Sequence, residues 1–181
     1  MKIFEDVFSG DEVLSDALDI RIEMNNSFIA VTSKMIVPDD GSGVDVGNAS
    51  HFGGGGDEEE GGSSGSPDVV KVNNILENFQ LEEYPGSKKD IMSIFKEKIA
   101  MVKKRLEGRE DRLKEWGPEG AVSKFVKECF AKYDECKFYM GKSLGDMDPK
   151  EGMFIISFWV KDDDTGETFY YFKDTLREVK V

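Results

Sequence analysis

The stretch that decides the fold is residues 87–108, SKKDIMSIFKEKIAMVKKRLEG. Ser87 can cap a helix, and Asp90 three residues later completes a pair of the capping-box kind. Apolar residues then recur at intervals of three and four, at Met92, Phe95, Ile99, Val102 and Leu106. Because this spacing places them on one face of a helix, the stretch predicts an amphipathic α-helix.

A second helix is predicted downstream of a polar link, GREDRLKEW, at residues 108–116. Gly117-Pro118 follows the link and is typical of a helix with proline in its first turn. The apolar face would comprise Ala121, Val122, Phe125, Val126, Cys129, Phe130 and Tyr133. Two amphipathic helices joined by a short link predict an antiparallel helical hairpin over residues 87–135.

Residues 1–38 contain three runs typical of short strands, which are MKIFEDVF, ALDIRIEM and SFIAVTSKMIV. In the second run Ile20, Ile22 and Met24 alternate with charged residues, the pattern of a half-buried strand. Asn25-Asn26 is typical of a turn. We therefore predict a β-meander over residues 1–38.

The C-terminal residues 137–181 return to strand patterns, in KFYMG, in GMFIISFWVKDDDTGETFYYFKD and in LREVKV. Asp164-Thr165-Gly166 separates two runs rich in aromatic and β-branched residues, which predicts a β-hairpin. Upstream of the helices, Val69, Val70 and Val72 suggest one more strand before an irregular connection. Helices inserted between groups of strands predict a single α+β domain over residues 1–181.

Residues 39–67 have the composition of a flexible, acidic, glycine-rich loop, because they hold few apolar side chains that could offset the entropy of ordering. Gly53–Gly56 neither follow a clear strand nor open a helix, so a dinucleotide loop is not predicted. The acidic run offers carboxylate oxygens suited to Ca²⁺ but no turn to fix them, so weak binding or a solvated tether are both open. These candidate ligands are Asp57, Glu58, Glu59 and Glu60.

The net charge of −13 and the isoelectric point near 4.6 disfavour nucleic acid as a partner, because a polyanion needs a basic surface. The hairpin region is the exception, since residues 87–137 hold 14 Lys and Arg against 10 Asp and Glu. No run is long and apolar enough to predict a membrane helix or a signal peptide. We therefore expect a cytoplasmic protein with a basic arm on an acidic body.

Several motifs for chemistry are incomplete. Gly141-Lys142-Ser143 is the end of a phosphate-binding loop, but Cys136 stands where the loop needs its first glycine. Asp162-Asp163-Asp164 begins like an EF-hand loop, yet its last position would be Lys173 instead of an acid. His51, the single histidine, lies in the acidic loop, so a histidine-based catalytic site is not predicted. The sequence therefore predicts no enzyme and no required cofactor.

The order of the parts resembles the translationally controlled tumour protein family along the entire chain. The resemblance rests on DEVLSD at residues 11–16, GNAS at 47–50, the basic hairpin, and FYMG followed by MDPKEGM and FYYFKDTLREVKV. It implies a β-tent-like body of twisted sheets with the helical hairpin and a mobile acidic loop. It also implies a non-enzymatic regulator of growth and survival that binds Rheb-type small GTPases upstream of TOR signalling, tubulin, Ca²⁺ and Bcl-2-type proteins.

By position, Glu12 in DEVLSD matches the family acid of the GTPase contact, and Asp11 stands beside it. A second family acid follows the glycine of FYMG, but this chain has Lys142 there, which would repel a basic partner. The family's C-terminal cysteine is Val181 here, so we expect a monomer. The candidates for the tubulin contact are Lys96, Lys98, Lys103, Lys104 and Arg105. An alternative function is a calcium-responsive buffer or chaperone-like protein that uses the acidic loop.

Overall fold

The structure is a computed structural model that describes residues 1–38 and 70–181. The predicted acidic loop, the GNAS motif and Val69 therefore lie outside the described residues. Eleven strands and four α-helices are present in the described ranges. The strands are β1 Lys2–Asp6, β2 Glu12–Ser15, β3 Ile20–Glu23, β4 Phe28–Thr32, β5 Met35–Ile36, β6 Val72–Asn73, β7 Glu82–Glu83, β8 Lys137–Met140, β9 Ile155–Phe158, β10 Thr168–Phe172 and β11 Leu176–Lys180. The helices are α1 Asn74–Phe79, α2 Lys88–Arg105, α3 Glu110–Leu113 and α4 Ala121–Ala131.

The strands form three antiparallel sheets. The largest has six strands in the order β3-β4-β10-β9-β8-β7, the second has the order β11-β1-β2, and β5 pairs with β6. The predicted β-hairpin is confirmed, since Tyr170 of β10 pairs with Ile156 of β9. The predicted β-meander over residues 1–38 is wrong, because these strands are divided among all three sheets. The α+β class with helices inserted between strands is confirmed.

The six-stranded sheet is apolar on both faces, because its central strands carry hydrophobic residues at successive positions. Phe28 and Ala30 of β4 face the helices, whereas Ile29 and Val31 face the other way. Residues of the other strands alternate in the same manner, with Tyr170 and Phe172 toward the helices and Phe169 and Tyr171 away from them. The sheet is therefore the central layer, between the helices on one face and the three-stranded sheet with α1 on the other.

The helical hairpin packs on the sheet through aromatic side chains. Phe95 of α2 stacks on Phe154 with ring centroids 4.6 Å apart, and Phe125 of α4 lies 4.3 Å from the ring of Phe28. Large buried aromatic rings contribute much of the hydrophobic stabilisation in a core of this kind. The hairpin is therefore covered along one side by the body of the protein.

The predicted capping pair at the start of α2 is confirmed. Asp90 N donates to the Ser87 side chain, and the Asp90 carboxylate accepts from Ser87 N at 3.0 Å, which completes the capping box. The predicted apolar face is shifted, because Ile91 is buried whereas Met92 is exposed. Among the described helices, none is long and apolar enough to cross a membrane.

Three local predictions were wrong. The second long helix begins at Ala121 instead of beside Pro118, and α3 and a 3₁₀ turn at Lys114–Trp116 occupy the polar link. The chain after Val72 is not irregular, because Asn73 caps α1 by accepting hydrogen bonds from Ile75 N and Leu76 N. The second long helix ends at Ala131, so Tyr133 lies in the 3₁₀ turn Tyr133–Glu135 that follows it and not on the helix.

A buried ion pair attaches the hairpin to two other parts of the fold. The Arg112 guanidinium donates to both carboxylate oxygens of Asp174, and the Nη2–Oδ2 distance is 2.8 Å. Its remaining hydrogen bonds go to Asn25 O at 2.9 Å and Ser27 Oγ at 3.1 Å. The Trp116 indole N–H also donates to Asp174, at 2.9 Å. Asp174 raises the pKa of the Arg112 guanidinium above its ordinary value, so this side chain stays charged.

We expect Arg112→Ala to lower the free energy of unfolding by about 3–5 kcal/mol, because it leaves the Asp174 carboxylate buried without its counter-charge. Urea denaturation followed by circular dichroism measures the change. Arg109→Ala is the matched control, since Arg109 is exposed and its Asp111 partner lies 4.0 Å away; we expect a change within about 0.5 kcal/mol. Equal losses in the two variants would contradict the structural role given to Arg112.

Candidate partner-binding surfaces

The turn between β1 and β2 is fixed by the last residue of β1. The Asp6 carboxylate accepts hydrogen bonds from Phe8 N at 2.7 Å and Ser9 N at 3.0 Å. Gly10 has a φ of +80°, a backbone conformation that favours glycine. This conformation lets the chain turn back into β2. Asp6 also accepts a hydrogen bond from Met153 N at 2.7 Å, so the turn is tied to the segment before β9. Burial raises the pKa of the Asp6 carboxyl above its ordinary value.

Asp11 lies directly after this turn and is buried, with 5% of its surface exposed. Its carboxylate accepts hydrogen bonds from Ser143 Oγ at 2.5 Å and Ser143 N at 3.1 Å. The prediction that Asp11 contacts a partner therefore needs correction, because this carboxylate is bound inside the protein. What Asp11 does is hold the start of β2 against the 3₁₀ turn at Lys142–Gly145.

Gly141 makes this close approach possible. A Cβ atom added to Gly141 would lie 2.6 Å from Asp11 Cβ and would also overlap the carboxylate. The sequence identified the FYMG motif but gave no reason for its glycine. The reason is that the end of β8 lies directly against Asp11 at the start of β2, a contact between distant parts of the sequence. Ser143 was likewise missed as an anchor, since its partner is 132 residues away.

The neighbours of these anchors are exposed. Glu12 follows Asp11 and Lys142 precedes Ser143, and both side chains face solvent. Within residues 1–38 and 70–181, neither side chain takes part in an ion pair within 4.0 Å. We call the pair the Glu12 surface. It presents an acidic and a basic side chain on a backbone that the Asp11–Ser143 hydrogen bonds hold in place.

The basic candidates on α2 do not share one environment. Lys96, Lys103, Lys104 and Arg105 are exposed. Lys96, Lys103 and Lys104 lie on one side of the helix, and we call these three residues the basic face, whereas Arg105 lies beside the turn between β1 and β2. Lys98 is buried instead, with 6% of its surface exposed. Its ammonium donates to Glu151 O at 3.0 Å and lies 5.0 Å from the centre of the Phe8 ring. The prediction that Lys98 contacts tubulin therefore needs correction, since its charge joins α2 to the body of the protein.

The predicted calcium ligands Asp57, Glu58, Glu59 and Glu60 lie outside the described residues. Within the part of the chain that the structure describes, no group of three or more His, Cys, Asp or Glu side chains could hold a metal ion. The geometry therefore assigns no metal ligand. Calcium binding stays a prediction that rests on the family resemblance.

Comparisons with known proteins agree along the whole chain. The family model for the translationally controlled tumour protein matches residues 1–177. The chain is 30% identical over 177 residues to the translationally-controlled tumor protein homolog of Schizosaccharomyces pombe, and the alignment covers 97% of each chain. It matches the solved structure of a translationally controlled tumor-associated protein from the same organism with a TM-score of 0.71, 28% identity and full coverage of both chains. A translationally-controlled tumor protein from Caenorhabditis elegans has a TM-score of 0.64 at 20% identity, with 100% and 99% coverage, and supports the fold alone.

We expect Gly141→Ala to lower the free energy of unfolding by about 1–3 kcal/mol, because the added methyl group overlaps the buried Asp11 side chain. Gly145→Ala in the same turn is the control. A Cβ there would meet only the end of the exposed Glu82 side chain, at 3.1 Å, and that side chain can move away. Urea denaturation of both variants makes the comparison, and a loss for Gly145→Ala as large as that for Gly141→Ala would argue against the anchor.

Proposed function

This chain belongs to the translationally controlled tumour protein family, and on that premise we propose that it regulates growth and survival by binding a small GTPase of the Rheb type. In this proposal it acts upstream of TOR signalling, as a regulator of nucleotide exchange or dissociation, without covalent chemistry of its own. The observation that supports the proposal most is the Glu12 surface, where Glu12 is exposed beside a buried Asp11.

The surroundings of Glu12 suit a binding role. The Asp6 and Asp11 carboxylates hold the backbone on its N-terminal side through five hydrogen bonds in total. A site that is already ordered loses little entropy when a partner binds. Because Asp11 is bound internally, Glu12 supplies the carboxylate that a basic residue of the GTPase would meet. Lys142 opposes the same residue by like charge, so it weakens or redirects the contact.

We propose tubulin as a second partner, through the basic face of α2. The exposed Lys96, Lys103 and Lys104 lie on the side of α2 that faces away from the core, and Arg105 is exposed at the edge of that side. Exposed lysines act as mobile point charges and suit the acidic outer surface that tubulin presents. Screening by salt should weaken such a contact, because the charges are not enclosed.

Further partners follow from the family resemblance alone. We propose Bcl-2-type proteins as partners of the N-terminal segment, and weak binding of Ca²⁺. A cytoplasmic location is part of the same proposal, with the nucleus and non-classical secretion as alternatives. A calcium-responsive buffer or chaperone-like protein that uses the acidic loop of residues 39–67 stays the rival hypothesis to regulation through the Glu12 surface.

We expect Glu12→Gln to weaken binding of the organism's own Rheb-type GTPase at least about tenfold, because it removes the carboxylate that faces the partner. Lys142→Glu should strengthen the same binding, since it replaces a repelling charge with an attracting one. Titration by calorimetry, with a nucleotide-exchange assay alongside, measures both effects. Asp19→Asn is the control for charge, because Asp19 is also an exposed acid near β2. Binding by wild type and all variants with equal affinity would exclude the Glu12 surface.

We expect the triple variant Lys96→Gln, Lys103→Gln and Lys104→Gln to bind microtubules about five- to thirtyfold more weakly in co-sedimentation, because it removes about 1–2 kcal/mol of exposed charge interactions. The matched control neutralises Lys150, Lys161 and Lys180, which are exposed on the body. If the control loses as much affinity as the triple variant, net charge and not the basic face governs the contact.

A further inference from the structure

A cavity of about 630 Å³ lies where the end of α2, the turn between β1 and β2, and the entry to β11 meet. Three arginines from different parts of the chain line it, Arg105, Arg109 and Arg177, and we call it the arginine cleft. Gly10 forms part of the wall, and a Cβ added there would meet no atom within 4 Å, so the space above it is open. Volumes of 300–1,000 Å³ are typical of sites for small molecules.

The acids in the wall of the cleft are already bound by other groups. Asp174 pairs with the buried Arg112 and accepts the Trp116 indole N–H. Asp6 is surrounded by the three backbone N–H donors described above. Glu107 and Glu110 lie on the same connection as Arg109 but do not line the cavity. Neither carboxylate of the wall forms an ion pair with Arg105 or Arg109 within the described residues.

The three arginines differ in what already engages them. Arg177 is bound by Glu5 through its Nε and Nη2 atoms. Arg109 has a single ion pair, with Asp111 at 4.0 Å, and both side chains are largely exposed, so this pair is weak. Arg105 has no ion-pair partner within 4.0 Å among residues 1–38 and 70–181. Two guanidinium groups are therefore available to a ligand.

Stabilisation of the helix end does not account for both arginines. Cations in the last turn of a helix interact favourably with its negative end, and Lys103, Lys104 and Arg105 all occupy that turn of α2. Of these three, Arg105 alone lines the cleft. Arg109 lies beyond the helix, so its position at the cavity has no such explanation.

We infer that the arginine cleft binds a phosphate monoester, with Arg105 and Arg109 as the groups that hold the phosphate. A phosphate monoester carries about −1.5 to −2 charges at pH 7, which matches the two positive charges of Arg105 and Arg109. The planar guanidinium can donate two parallel hydrogen bonds to phosphate oxygens. The cavity is larger than a phosphate, so the rest of the ligand would lie over Gly10 and Val7. The ester is either a small sugar phosphate or a phosphorylated side chain of another protein.

Calorimetric titration of the full chain with two probes tests the inference and separates the two sources. The probes are glucose 6-phosphate and a ten-residue peptide with one central phosphoserine, and the same peptide with glutamate in place of phosphoserine is the charge control. We expect saturable binding of at least one phosphate probe, at least tenfold tighter than the glutamate peptide. Tighter binding of glucose 6-phosphate identifies a sugar phosphate as the source, and tighter binding of the phosphopeptide identifies a phosphorylated chain.

The variants Arg105→Gln and Arg109→Gln should each weaken that binding at least tenfold. Arg105→Lys should retain part of the binding, because lysine keeps the positive charge but cannot donate two parallel hydrogen bonds to the phosphate. Lys104→Gln is the matched control, since it removes one charge from the same helical turn outside the cleft. Thermal unfolding of each variant checks that the fold is retained, and amide shifts at Val7–Gly10 locate the ligand. Absence of saturable binding, equal binding of the glutamate peptide, or an equal loss in Lys104→Gln would overturn the inference.

Discussion

The buried ion pair between Arg112 and Asp174 is the interaction on which the arrangement of the fold depends. Arg112 belongs to α3, in the link between the two long helices of the hairpin, whereas Asp174 lies between β10 and β11. The same guanidinium holds the turn between β3 and β4 through Asn25 O and Ser27 Oγ. A buried charge is tolerated only when its partners satisfy it, so these three segments are constrained together. Asp174 lies just before β11, and β11 pairs with β1. The ion pair therefore also constrains the position of the three-stranded sheet β11-β1-β2.

The two apolar faces of the six-stranded sheet account for the burial of several of the charged residues considered above. Its alternating residues require a covering layer on each face, and the hairpin and the three-stranded sheet supply those layers. Polar groups that enter these layers have to be paired, and Asp6, Asp11 and Lys98 are paired in this way. Of the residues considered for partner contacts, Asp11 and Lys98 are therefore buried, whereas Glu12, Lys142 and the basic face of α2 stay exposed.

Charge is divided between these surfaces in a way that suits different partners. The body is acidic and presents Glu12 at the start of β2, whereas α2 presents lysines on a long exposed side. The arginine cleft lies between the two, near the turn that leads to Glu12. Long-range attraction brings partners to such surfaces, but the local hydrogen bonds decide what binds there. A basic contact, an acidic contact and a phosphate site can therefore coexist on one small protein.

The sequence by itself determined the elements whose signals are local. The capping box at Ser87, the helical spacing of Phe95 and Val102, and the hairpin around Asp164-Thr165-Gly166 all depend on neighbours a few residues apart. The family resemblance added the candidate Glu12, which the structure places at an exposed position.

Only the tertiary structure decided which charged side chains are buried and which are exposed. Asp11 and Lys98 are of residue types that usually lie on the surface. Their burial depends on Ser143 and Glu151, which are 132 and 53 positions away. In the same way, Arg105, Arg109 and Arg177 meet at one cavity because β11 pairs with β1 beside the end of α2. A single sequence shows its helical and strand periodicities, but it does not show which distant segments come into contact, and those contacts fix the environment of each charged group.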